Sequence, residues 1–224
     1  MKILSIYTIV FFLSYNTFCQ STKKVELSEY VNEIQKWSKD ENKLALTFWI
    51  PSSYWSIALQ DNPEVNPEMI QQIEMAFQDY VIIIALDMEM NLGSSMVFRK
   101  EPEMRKSISI IDYQGNKHFP LKEYELGESA LMFKDAIKPM FAQMLGKMGQ
   151  GMNFYFFKVQ DKENNNLINE FEKGKFTVRH SDKEFEYLLP LSTLLPKKKC
   201  PIDNVEMNGS WNYCPKHGAK LDKE

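Results

Sequence analysis

The chain is poor in cysteine, with three in 224 residues, and it has no excess of basic charge: 27 Lys and Arg stand against 30 Asp and Glu. A net charge of -3 supplies no global positive field and argues against a nucleic-acid binder. Beyond residue 20 no apolar run approaches the roughly 20 residues of a spanning helix, so no transmembrane helix is expected in the mature chain. Internal repeats and low-complexity tracts are missing too. There is no Gly-x-Ser-x-Gly and no His-Glu-x-x-His motif. Gly146, Gly149 and Gly151 lie close together but lack the lysine–hydroxyl pair of a phosphate-binding loop. No active site can be assembled from sequence neighbours, although catalytic partners meet in space more often than in sequence. What the chain does have is the composition of a globular fold: 44% hydrophobic, 25% charged and 13% aromatic residues, the last a large payload for a core or an interface.

Met1-Lys2 precedes an apolar run from Ile3 to Leu13, which has the length of a signal-peptide core and is too short to cross a bilayer comfortably. After Gln20 the chain turns polar at once. The segment resembles secretory signals of the Bacteroidota, which often end in an aromatic, a small residue and Gln; here these are Phe18, Cys19 and Gln20. That resemblance implies cleavage after Cys19 and export to the periplasm or the exterior. A lipidated Cys19 is the alternative, disfavoured by the bulky Phe18 beside it. Removing residues 1–19 takes away one base, Lys2, and leaves Cys200 and Cys214 as the remaining cysteines.

Along the rest of the chain, Ser28 caps a predicted helix running to Trp37, with Tyr30, Val31, Ile34 and Trp37 on one face. Lys43 to Ile50 is a predicted strand, with Tyr54 to Leu59 as its partner. Asn66-Pro67 starts a helix whose apolar stripe extends to Tyr80. Val81 to Leu86 is β-branched and continuous, suited to a strand buried on both faces. Asp87 and Glu89 are expected to solvate its emerging end. Ser107–Tyr113 and Lys117–Leu121 flank a Gln114-Gly115-Asn116 turn. Gly127 to Gly149 is the longest helical candidate, with Ser129 as cap and Pro139 as kink. Met152–Val159 is an aromatic strand, and Lys175–Arg179 with Glu184–Leu189 forms a second hairpin. Strands and helices without a βαβ rhythm imply α+β, with a largely antiparallel sheet and about three helices. One domain is expected over residues 25–195, then a turn-rich linker at 190–199 and a tail at 197–224.

The tail carries the one motif with chemistry. Cys200-Pro201-Ile202-Asp203 and Cys214-Pro215-Lys216-His217 each open with Cys-Pro and place a metal donor at the first and fourth positions. A two-residue gap lets both side chains reach one ion, and two such turns supply a tetrahedron. Asn208-Gly209 offers a turn between them, with Trp211 and Tyr213 to cover the site. These residues resemble a zinc ribbon, and the resemblance implies Cys200, Asp203, Cys214 and His217 as ligands of a structural zinc. Asp203 and His217 stand where that family usually has Cys. A Cys200–Cys214 disulfide, or a hairpin that keeps its shape without metal, are the competing readings.

Weaker patterns complete the list. Met132, Met140, Met144, Met148 and Met152 form a stripe that suits a core-facing helix using methionine as filler, with Cu(I) binding as the rarer alternative. Trp49, Tyr54 and Trp55 cluster around Pro51 as core or as a binding platform. His118 and His180 are lone histidines in hairpins. The functional expectation is an exported envelope protein that binds a protein partner or joins an assembly without catalysis. The alternative is an enzyme whose site forms within the α+β domain. Oligomeric state, substrate and partner identity stay open.

Overall fold

The computed structural model describes residues 24–91, 95–161 and 163–221. The expected signal segment, Cys19 included, lies outside them. The fold is α+β, built on two antiparallel sheets, with six α-helices among the described residues.

Helix α1 (Leu27–Ile34) runs directly into β1 (Gln35–Asp40), which pairs with β2 (Lys43–Ile50). The helix therefore ends three residues before Trp37, and Glu26 rather than Ser28 precedes it. Tyr30 and Ile34 are fully buried as expected, but Trp37 sits opposite Leu46 on the edge strand, half in solvent. Tyr54–Leu59 forms helix α2 and not a strand. Both sides of β2 are already taken by β1 and by β3 (Tyr80–Met90), so no edge is left for it to join.

Helix α3 (Pro67–Phe77) begins as its sequence dictates: the Asn66 side chain accepts from Met69 N at 2.8 Å and Pro67 occupies the first turn. Strand β3 is central. One side pairs with β2; the other pairs first with β7 (Asn153–Lys158) and then with β4 (Met96–Phe98). The second sheet has the order β6-β5-β8-β9, from β5 (Ser109–Ile111), β6 (Lys117–His118), β8 (Gly174–His180) and β9 (Lys183–Leu189). Between β4 and β5 lies helix α4 (Glu101–Ser107), which the sequence pattern did not suggest.

Alternation in β2 divides the core into two layers. Thr47 and Trp49 face the second sheet, where Trp49 meets Phe176 and Tyr187 edge-on and the Thr47 and Tyr187 hydroxyls lie 2.8 Å apart. Phe48 faces the other way and packs on Tyr54 of α2. On that side Phe156 and Phe154 of β7 meet Phe77 of α3 and Phe141 of α5 (Glu128–Leu145). Val81 to Leu86 are thus buried on both faces.

Helix α5 contains Pro139 but starts after Gly127, which leaves Ser129 inside it. It stops at Gly146, whose φ of 58° a side chain rarely adopts, before the short α6 (Lys147–Gly151). Its buried side is Ala130, Phe133, Ile137 and Phe141, so the methionines fall on the opposite face. Met132 and Met144 are 68% and 73% exposed, which corrects the core-facing expectation; Met148 is half-buried and Met152 buried. Asp87 is a further correction. It is buried, accepts from Ser181 Oγ at 2.6 Å and pairs with Arg99 Nε at 2.9 Å, while Glu89 stays exposed. No described helix is long and apolar enough to cross a membrane.

Candidate metal centre

The segment that leaves β9 is docked rather than a solvated linker. Leu191 is buried, and a single turn at Ser192–Leu194 is held by Glu33 of α1, whose Oε2 accepts from Thr193 N at 3.0 Å. Strand β10 (Lys198–Lys199) then pairs with β11 (Glu206–Met207), and the first Cys-Pro turn forms the tip between them.

The two Cys-Pro turns have one geometry. Asn204 N donates to Cys200 O and Gly218 N donates to Cys214 O, each at 2.8 Å. Cys200 N donates to Val205 O at 3.0 Å, and Cys214 N donates to Ala219 O at 2.7 Å. The fifth residue of each turn is left-handed, Asn204 at φ 56° and Gly218 at φ 65°, which is why Asn and Gly occupy these places. Asp203 and His217 therefore hold equivalent positions in two copies of one turn.

These turns bring Cys200, Cys214 and His217 together, with their ligand atoms all within 4.8 Å of one another; the group can hold a metal ion. His217 Nδ1 lies 3.4 Å from Cys200 Sγ and 3.6 Å from Cys214 Sγ. Sulfur at about 2.3 Å and nitrogen at about 2.0–2.1 Å from a tetrahedral zinc stand about 3.5 Å apart, so the donor set fits that ion. Asp203 Oδ2 is 3.8 Å from His217 Nδ1, next to the three donors and slightly wide of them. Its Oδ1 accepts from Val205 N at 3.2 Å.

Both cysteines are free and buried. Burial pushes the Cys200 thiol above its ordinary value. Burial also acts on Cys214, but the backbone N–H groups of His217 and Lys216 outweigh it and hold that thiol below its ordinary value. Asp203 is likewise held low against burial, by the Val205 N–H, the Cys200 thiol and the charges of His217 and Lys216. Leu221 and Met207 cover the sulfurs. Trp211 and Tyr213, expected to do so, are 43% and 62% exposed.

The other singled-out residues do not join this group. His118 Nε2 pairs with Asp112 Oδ2 at 2.9 Å in its own turn. His180 is fully buried, with Nε2 3.2 Å from Leu86 O, so that nitrogen carries the proton. Sequence reasoning missed Glu170, a buried acid held by Ser52 and Ser53, because its partners are more than 100 residues away. Comparison with protein-family models, with curated proteins and with solved structures finds no match to this chain.

Proposed function

We propose that Cys200, Asp203, Cys214 and His217 hold one structural zinc ion, and that the chain is an exported protein that binds or assembles with a protein partner and carries out no catalysis through that ion. The observation that carries the metal reading is the placement of His217 Nδ1 nearly equidistant from two sulfurs, at 3.4 and 3.6 Å. A disulfide would give that histidine no role. Four protein donors leave no open position for a reactive water, so the ion staples a tail too small to hold itself together. Zinc suits two thiolates, an imidazole and a carboxylate better than magnesium or calcium, which take oxygen donors. Export rests on the segment before Gln20. The partner reading rests on Ile202, Tyr213 and Trp211, apolar and exposed around the two turns.

Elemental analysis of the purified, untagged chain tests the metal. One zinc per chain is expected, lost in Cys214→Ser with the α+β domain still folded by circular dichroism. Asp203→Ala should weaken binding less, because water replaces an oxygen donor readily. Less than about 0.2 zinc per chain, with a mass two hydrogens below the reduced value, would establish the disulfide instead. Cell fractionation tests export: recovery in the cytoplasm at full length would overturn it.

A further inference from the structure

A cleft of ≈ 730 Å³ opens between the end of β2, helices α2 and α3, the start of β3 and the segment after β7. That volume is in the range of small-molecule sites. Trp55 and Phe171 supply aromatic surface to its lining, and Trp55 is stacked on Phe77 at 5.7 Å. Its charge has one sign: Glu74, Asp79 and Glu170 line it, and among the described lining residues there is no lysine, arginine or histidine. Glutamine and asparagine side chains make up much of the remaining polar lining.

Glu170 is the decisive residue. It is 5% exposed, and its Oε1 accepts from Ser52 Oγ at 2.7 Å and from Ser53 N at 3.1 Å. Those bonds fix the turn after β2, where Ser53 Oγ also meets the buried Tyr30 hydroxyl at 2.6 Å. That structural duty uses Oε1 alone. Oε2 is buried and has no hydrogen-bond partner. Buried polar atoms are nearly always satisfied, so an unpartnered carboxyl oxygen in a residue that lines a cleft calls for a donor from outside the chain. Glu74 across the cleft adds to the unfavourable charge and helps burial to push the Glu170 carboxyl up. A positively charged donor would relieve both.

We propose that the cleft binds a small protonated amine, with the Glu170 carboxylate turning its enclosed Oε2 outward to accept an ammonium N–H and the organic body against Trp55 and Phe171. Carboxylate plus aromatic faces is the chemistry that selects organic cations over neutral molecules of the same shape. The one-signed lining adds a focused negative potential. A sugar would use the aromatic and amide surface but would have no need of three acids without a base. The site is independent of the metal centre, since no residue of the tail lines it.

Calorimetric titration of the full chain with phenethylammonium and with 2-phenylethanol, which share ring and tether, tests this. Saturable binding of the amine is expected, with the alcohol at least about tenfold weaker. Tetramethylammonium, a cation without N–H donors, should bind more weakly than the amine. Glu170→Gln keeps an acceptor for Ser52 and Ser53 but removes the charge, and should lower amine affinity about tenfold while leaving the alcohol unchanged. Far-UV circular dichroism checks that variant; if it does not fold, Glu74→Gln, a half-exposed position on α3, should lower amine affinity about threefold by its smaller electrostatic share. Equal affinity for amine and alcohol, tighter binding of glucose or tetramethylammonium, or no saturation by the amine below about 10 mM overturns the proposal.

Discussion

Glu33 ties the α+β core to the segment that leads into the C-terminal tail through four hydrogen bonds, and its removal gives a sharp test of how the tail is held. Its Oε1 accepts from Ser192 N at 3.0 Å and from the Ser192 hydroxyl; its Oε2 accepts from Thr193 N at 3.0 Å and from Thr193 Oγ1 at 2.6 Å. The two N–H groups open the turn at Ser192–Leu194, where a helical turn leaves donors without internal partners. The carboxylate of α1 thus caps a turn 160 residues away. Ser192 Oγ also accepts from Asn208 Nδ2 at 2.7 Å, which carries the connection into the loop after β11.

Glu33→Ala removes the shared acceptor. A hydrogen bond to a charged group contributes about 1.5–3 kcal/mol, but Glu33 is only half-buried and water can take over several of these bonds. A net loss of about 2–3 kcal/mol is expected, which in a chain of this size lowers the melting temperature by about 5–10 °C. Glu33→Gln should cost about half as much, because its amide oxygen serves one residue of the pair while its NH2 opposes the other. Urea unfolding gives the free energies, and hydrogen exchange at the Ser192 and Thr193 amides gives the location. A change under about 0.5 kcal/mol with unchanged exchange at both amides would refute the clamp, since ordinary surface substitutions fall in that range.

Three further outcomes follow from packing and burial. Gly209→Ala places a Cβ 2.4 Å from Pro196 O and 2.7 Å from Leu195 Cβ, so it should destabilise by about 1–3 kcal/mol in thermal melts, whereas Gly174→Ala, with open space around it, should not. Tyr187→Phe leaves the Thr47 hydroxyl unpartnered between the sheets and should cost about 1–2 kcal/mol by urea titration; a neutral result would mean that water reaches this interface. Burial pushes His180 below its ordinary 6.5, with the charge of Asp87 pulling the other way. The unfolded chain takes up this proton below pH 6.5 and the folded chain does not. Stability should therefore be complete above pH 6.5 and fall by up to about 1.4 kcal/mol per unit beneath it, until the lowered folded value is reached. An imidazole resonance of His180 that titrates normally near 6.5 in the folded protein would overturn this.

How far each feature could be read in advance depends on the sequence distance over which its physics acts. Lys43–Ile50 and the Asn66-Pro67 helix start declare themselves through an apolar run ended by Pro51 and through capping, within a few residues. The two Cys-Pro turns do so as well, because each places its two donors by hydrogen bonds inside five residues, so the pair was visible as a repeated spacing. Tyr54–Leu59 is six residues of mixed aromatic and apolar character, too short for a period to separate helix from strand; the pairing of β2 on both sides decided it. The methionine stripe had helical spacing but lay beside a second stripe, Ala130–Phe133–Ile137–Phe141, and only the sheet beneath shows which one faces inward. Glu170 carries no local signal at all, since an acid in a polar loop looks solvated until Ser52 and Ser53 arrive from 117 or more residues away. Glu33 is the same case, one helical glutamate among several until Ser192 and Thr193 close on it. The candidate metal centre is thus the part of this molecule that a short stretch of chain can specify, while the cleft and the clamp exist only once distant parts of the sequence have met.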